Sequence, residues 1–518
     1  MEKKKIGLIS ATFLGVSSII GSGWLFAPYK TAQIAGPLAI LTWIIGAAII
    51  LLLAFCFSEV AVRYPKRGLS AIVATLTHNE YFGFPFAIAN WLGIVAVIAL
   101  EADATVEYLI SLSPSMAHIF FANQVLTFYG ELLSAGLVFV YAITNYWGVQ
   151  SLIKTNNILS VIKVFVPILT AIVIMSVAFH TENFTVVKDT VAPYGYQAIF
   201  TAIISTGIII AFNGFQSVIS FSSEIKNPRR NIPLSLVLSI VICLVIYLLL
   251  QVCFIAGVST SDLKNGGWTG LTFSAPMVEL AAALGLGFFS TIIYLGAATA
   301  PLGTAMTFVG TSTRMFTAMS RQKQVPAYFD NVHPKYGISR RSLAANIVFA
   351  LIFVFAFKSW SLLAQILSIF HVFSYLPVVL ALVIFRSVPY KKNEEKFKIP
   401  FGKVIAVGLF IIFNYLLTYS NDIITLEVVG CFLLFQIIFI ACSCRTAKAL
   451  VNAITKSAPV FIFLFVLLAL VHASPTNADY FGGPIFFAVT GVFSCVSFYL
   501  LTKLGLNENL HEHVGNSN

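Results

Sequence analysis

Charge is what this sequence has least of. Asp, Glu, Lys and Arg make up only 10% of its 518 residues, against 58% hydrophobic ones, and the mean hydropathy is +0.92. A soluble chain of this length needs far more charge to cover its surface, so a soluble globular protein is excluded. Cysteine is sparse too. Cys56, Cys243, Cys253, Cys431, Cys442, Cys444 and Cys495 mostly sit inside apolar runs with neither metal-ligand nor disulfide-framework spacing, and read as small buried hydrophobes. No Ser/His or Cys/His constellation, metal cluster or cofactor motif stands out, which argues against an intramembrane enzyme: no catalytic residue, metal or cofactor is expected. A channel would need a repeated carbonyl filter or a ring-forming charge series, and the sequence offers neither. Soluble linkers are missing as well, since no segment between apolar runs exceeds about 30 residues.

Apolar length is what the chain has in abundance, with 47 Phe residues suited to lipid-facing surfaces and interfacial belts. The net charge of +11 does not mark a nucleic-acid partner, because the basic residues lie in short loops between apolar runs. Lys3 to Lys5 precede an apolar stretch, but that stretch runs on into another, so a retained first helix is expected rather than a cleaved signal peptide.

A bilayer core of about 30 Å requires about 20 apolar residues per helix. That length places spans at about 7–32, 37–62, 83–111, 130–149, 156–180, 197–222, 232–257, 286–313, 342–358, 361–385, 404–419, 425–443, 458–473 and 482–502, fourteen in all. With the N-terminus in the cytoplasm, 26 of the 31 Lys and Arg residues fall on the cytoplasmic side. Lys30, Lys188, Lys264 and Lys358 fall outside, and Lys163 stays within a span. This asymmetry predicts a multi-pass protein of the cell (inner) membrane with both termini cytoplasmic, the tail being 503–518.

Two spans are interrupted near mid-membrane. The first reads Ile20-Gly21-Ser22-Gly23-Trp24, the sixth Ala211-Phe212-Asn213-Gly214-Phe215. Each glycine weakens a helix by about 1 kcal/mol and permits an unwound turn. In hydrocarbon, the backbone groups freed by such a break are tolerated only where they face a cavity or a ligand. Half-helix N-termini favour a carboxylate and free carbonyls accept from an ammonium, so paired breaks predict a cradle for an amino-acid zwitterion. The other reading of these glycines is close helix packing through small-residue faces.

At these residues the chain resembles the amino acid–polyamine–organocation superfamily of permeases. The resemblance covers roughly 1–400 and rests on several motifs in the family's order. They are Ile20 to Phe26, Glu59 to Pro65 with Gly68, Ala211 to Phe215, Glu224 through Asn227-Pro228-Arg229-Arg230-Asn231 to Pro233, and Arg314, Met319 and Pro326. Leu69 follows Gly68 where many members have a second glycine, and Asn213 stands where a smaller or apolar residue is commoner. The Trp24 to Ala27 run, Glu101 and Asn145-Tyr146-Trp147 resemble a bacterial aspartate–proton symporter branch. The resemblance implies an all-α membrane fold with a five-plus-five inverted repeat, like that of the bacterial leucine transporter. Its repeats would be 7–180 and 197–385, with peripheral helices over 404–502. It implies a secondary active transporter importing amino acids by proton symport with alternating access; an exchanger on the same fold is the alternative. The partners it implies are an amino-acid substrate and a proton, in a lipid bilayer.

Ionisable residues inside spans sharpen the site. Lys163 is costly in mid-membrane, by roughly 2.5–3.5 kcal/mol, unless paired or functional. Burial favours its neutral form, so it could load and release a proton; in the resembling permeases a fifth-span lysine stands where sodium-coupled relatives bind the ion. The alternative is a lysine reaching toward the cytoplasmic surface. In the third span, Asp103 and Glu107 share a face while Glu101 points about 160° away from Asp103. Glu101, the deepest, is the candidate for the transport path, and Glu107 is expected to be solvated. Ile20, Gly21, Ser22, Gly23, Ala211, Phe212, Asn213, Gly214 and Glu101 form the expected substrate site, with Phe212 as gate and Lys163 as proton carrier. His371 reads as a hydrogen-bonded core histidine, with a place in a proton relay as the alternative. Glu59 with Arg63, one helical turn apart, and Glu224 with Arg314 are expected cytoplasmic ion pairs.

Overall fold

The computed structural model describes residues 6–66, 68–113, 118–122, 125–147, 149–388, 397–480 and 482–515. The basic loop around Lys391 and Lys392, and the side chains of the His511–His513 tail, lie outside the described residues.

The protein is all-helical. The chain opens with α1 (Leu8–Ile19) and α2 (Gly23–Ala35), followed by α3 (Ala39–Arg63), α4 (Leu69–Thr77), α5 (Glu80–Ser111), α6 (Phe128–Tyr146) and α7 (Val149–Val177). Three short helices come next, α8 (Ala198–Ser205), α9 (Ile208–Ala211) and α10 (Phe215–Ser220), then α11 (Pro228–Gly257). Two surface helices, α12 (Thr260–Gly266) and α13 (Pro276–Ala283), lead to α14 (Gly287–Arg321), α15 (Arg340–Ala356) and α16 (Trp360–Ser387). The chain ends with α17 (Gly402–Thr418), α18 (Asp422–Ser443), α19 (Ala447–His472) and α20 (Gly483–Gly515).

Ten helical runs among the described residues are long and apolar enough to cross a membrane, and α1 and α17 are shorter apolar helices. The fourteen expected spans, two of them interrupted, do not all appear as long apolar runs, for a physical reason. The first and sixth expected spans are broken, so α1 and α8–α10 fall short of a bilayer's thickness, while α2 runs on through a single 3₁₀ turn into α3. α15 and α17 hold 17 residues each, below the usual spanning length.

Side-chain caps start many helices as local chemistry requires. Asn79, Thr127, Ser339, Ser359, Asn421 and Thr446 each accept a backbone N–H from the first turn of the helix that follows. α5 lies at the centre, packed by α4, α6, α14, α15 and α16, and is buried along almost its whole length. Gly93 permits a close approach of α16: a methyl group there would lie 2.6 Å from the His371 ring. By contrast α18, α19 and α20 turn Ile423, Leu434, Ile462 and Val492 outward as exposed apolar faces, the pattern for lipid contact.

Candidate functional site

The site forms where the two broken helices meet. α1 stops at Ile19, Ile20 is extended (φ −79°, ψ 94°), and α2 begins at Gly23. The gap frees carbonyls at the end of α1 and an amide at the start of α2. Side chains from five other helices gather around them. The Ser22 N–H donates to Glu101 Oε2 at 2.7 Å, and Trp360 Nε1–H donates to Ser22 Oγ at 2.9 Å. On the carbonyl side, Thr304 Oγ1–H donates to Ile20 O at 2.9 Å. Lys163 Nζ donates to Ser17 O at 2.6 Å and to Thr304 Oγ1 at 2.7 Å. The Tyr247 hydroxyl, with one proton to give, sits 3.1 Å from both Ile19 O and Ala211 O and so ties the two breaks together.

The second interruption is longer than the sequence indicates. Between α8 and α9 the chain turns at Thr206-Gly207, and Gly207 has φ +85°, a conformation glycine adopts at least cost. Between α9 and α10 lie Phe212, Asn213 and Gly214. Gly214 lies against the first break, where a Cβ would come within 2.2 Å of the Ser18 carbonyl carbon. Close packing and broken helix are therefore one feature here, since the backbones meet only because Gly214 lacks a side chain.

A small cavity of ≈ 20 Å³ lies at this junction. Of the expected substrate residues, Gly21, Gly23, Ala211 and Glu101 line it, together with Thr304, Phe308 and Trp360. Ile20 and Ser22 flank Gly21 in the chain but do not line the cavity. Phe212 and Asn213 point elsewhere. Phe212 packs edge-on against Trp43 and Tyr247, at 5.9 and 5.4 Å between ring centroids, behind the break rather than over the cavity. The aromatic residue that does cover the break is Trp360, stacked on Phe26 with ring centroids 4.9 Å apart. As the first residue of α16, it gave no signal that sequence reasoning could use.

Asn213 belongs to a buried polar cluster. Its Oδ1 accepts from Gln216 Nε2 at 2.8 Å and from Tyr375 OH at 3.1 Å, which turns its Nδ2–H toward His371 Nε2. His371 Nε2 is then the acceptor, so the neutral ring carries its proton on Nδ1. Asn90 Nδ2 adds a further bond to Gln216 Oε1 at 3.2 Å. His371 thus anchors the second break to α16.

The three carboxylates of α5 diverge. Glu101 faces the first break. Asp103 is fully buried beside Ser134, and neither of its carboxylate oxygens meets a donor at hydrogen-bond geometry among the described residues. Glu107 is not left to solvent: half-buried, it accepts the Trp360 backbone N–H at 3.3 Å, at the N-terminus of α16 where a carboxylate is favoured.

At the far end of α3 from this cover, Glu59 pairs with Arg386 rather than Arg63, in a bidentate contact of 2.7 and 2.6 Å. It also accepts the Ile399 N–H at 2.8 Å. Arg63 donates instead to the carbonyls of Phe385 and Val388. A one-turn spacing allowed Glu59 and Arg63 to meet, but the end of α16 presents a better-shaped partner. Arg314 lies 3.0 Å from Glu224 and over the Phe221 ring.

No group of three His, Cys, Asp or Glu among the described residues could hold a metal ion. Chemically, the site offers a cation on the carbonyl end of one half-helix and a carboxylate on the amide end of the next, both well placed for ion and zwitterion handling.

A family model described as amino acid permease matches residues 6–425. The glutamate/serine transporter AimA of Bacillus subtilis (strain 168) is 34% identical, over 93% of this chain and 89% of its own length. The aspartate-proton symporter of the same organism is 30% identical, over 86% and 85%. Among solved structures, the Eremococcus coleocola manganese transporter shares the fold at a TM-score of 0.52 and 14% identity, over 88% of this chain and 95% of that one.

Proposed function

The chain belongs to the amino acid permease family and is a membrane transporter, not an enzyme; from that premise we propose that it imports amino acids across the cytoplasmic membrane by proton symport, with alternating access at the junction of its two broken helices. The observation that carries this reading is the pair of charges across the first break: Lys163 on the Ser17 carbonyl and Glu101 on the Ser22 amide. A substrate ammonium and carboxylate would need complementary groups of the same kind, in the same place. Lys163 is the proton carrier in this scheme: protonated, it holds the end of α1 to α14 through Thr304, and neutral, it loosens that contact.

In this reading 7–180 and 197–385 form two inverted repeats, with 404–502 peripheral and both termini cytoplasmic. Trp360 closes the outer side, and Glu59–Arg386 with Glu224–Arg314 close the inner side. Relatives named for glutamate, serine and aspartate make small amino acids, acidic ones included, the first substrates to try.

The test is uptake by proteoliposomes of twenty amino acids and polyamines, with and without an imposed pH gradient. Accumulation of an amino acid that requires an inwardly directed proton gradient is expected. Uptake that depends only on internal amino acid, whatever the gradient, would establish exchange instead.

A further inference from the structure

An empty carrier with a broken helix has to satisfy the freed backbone without its substrate, because an unpaired amide in hydrocarbon costs several kcal/mol. Here the amide that opens α2 is occupied from within. Glu101 Oε2 takes the Ser22 N–H at 2.7 Å, and Oε1 lies where a Cβ on Gly21 would come within 2.1 Å of it. The carboxylate is thus pressed against bare main chain at Gly21-Ser22, on the wall of the cavity. No second carboxylate fits between them, and two carboxylates so close would repel strongly in this weakly polarisable setting.

We propose that Glu101 is an internal stand-in for the substrate's carboxylate, holding the Ser22 amide while the carrier is empty and yielding it when substrate arrives. The inference rests on the amino-acid reading above and deepens it. One carboxylate replaces another, so the start of α2 stays satisfied in both states and the unwound turn need not refold between them. Lys163 is the cation that acts on Glu101 electrostatically, and it awaits the displaced carboxylate across the break. The exchange also sets affinity: a ligand that must first evict a side chain binds more weakly by the fraction of time the cradle stands free. Glu101 would then be a residue that lowers affinity for substrate and hastens its release, the opposite of an ordinary binding contact.

The experiment compares the full-length protein with Glu101→Ala and Glu101→Gln, purified in nanodiscs. Thermal midpoints are read with and without sodium acetate, with methylammonium as control, and amino-acid binding is measured by scintillation proximity. Acetate is expected to raise the midpoint of Glu101→Ala and leave the wild type unmoved, because only the variant has a vacant cradle. Amino-acid affinity should tighten roughly tenfold in Glu101→Ala, the factor for a cradle free about a tenth of the time. Glu101→Gln, nearly isosteric, keeps the conclusion independent of how well the alanine variant folds and should tighten binding by less. Acetate-insensitive variants that bind amino acid no better than the wild type would overturn the inference and leave amino-acid transport standing. An acetate response in Glu101→Ala with no amino acid bound by any of the three proteins would keep the stand-in and remove the amino-acid reading.

Discussion

Gly214 and Ser18 touch main chain to main chain: a methyl group on the glycine would sit 2.2 Å from the serine's carbonyl carbon. This contact brings the two unwound stretches together, and neither neighbour is a flexible side chain that could move aside. Gly214→Ala should therefore push α1 and α10 apart, destabilising the protein by about 1–3 kcal/mol and abolishing uptake. Thermal unfolding in detergent with parallel transport assays checks it; full activity in that variant would mean the breaks need not touch.

Lys163 tests the coupling. Lys163→Ala removes the cation between Ser17 and Thr304, and accumulation driven by a pH gradient should vanish while gradient-free counterflow persists. Undiminished concentrative uptake would take the proton role away from this residue.

Trp360→Phe keeps the stacking on Phe26 but deletes the N–H that donates to Ser22 Oγ. Losing one such bond, worth about 1 kcal/mol, should open the cover more often and speed release of bound substrate roughly fivefold. The dissociation rate of labelled substrate from purified protein is the measurement; an unchanged rate would assign the cover to another group.

His78, at the end of α4 and outside the spans, predicts an acid limit. Burial lowers its pKa from 6.5 to about 4, partly offset by the carbonyls of Leu501 and Ala74. It is held neutral between Thr77 and the Leu501 carbonyl of α20, stacked on Phe82. Because the unfolded chain takes up this proton first, the stability contributed is full above pH 6.5 and is lost as pH falls toward 4. Between neutrality and pH 5 the loss is about 2 kcal/mol. His78→Gln should erase that part of the pH dependence, read as the difference between wild-type and variant thermal midpoints at the two pH values.

Much of the framework could be read without coordinates. Apolar runs of membrane length locate the helices, because in hydrocarbon a chain has no other way to pair its own backbone than to coil over such a run. Gly21, Gly23 and Gly214 flag the breaks for the same reason that makes them costly in a helix. Gly207, a third interruption, went unread because one glycine among isoleucines and threonines looks like many others in membrane helices. Partner choice was also hidden. Helical spacing put Arg63 within reach of Glu59, yet Arg386, 327 residues away in sequence, holds it. Phe212 looked like a cover from its place beside the break, but its side chain turns to Trp43, and Trp360 lies over the gap instead.

Sequence composition and the placement of glycine settled that this chain spans the membrane many times and has weak points in its helices, since those properties depend on each segment's own exchange with lipid. Which side chains heal those weak points was decided by folding alone. Glu101, Lys163, Thr304, Tyr247 and Trp360 come from five helices, and periodicity states only which face of its own helix a residue occupies. The neighbour that a face meets depends on how whole helices cross, which is a property of the packed bundle.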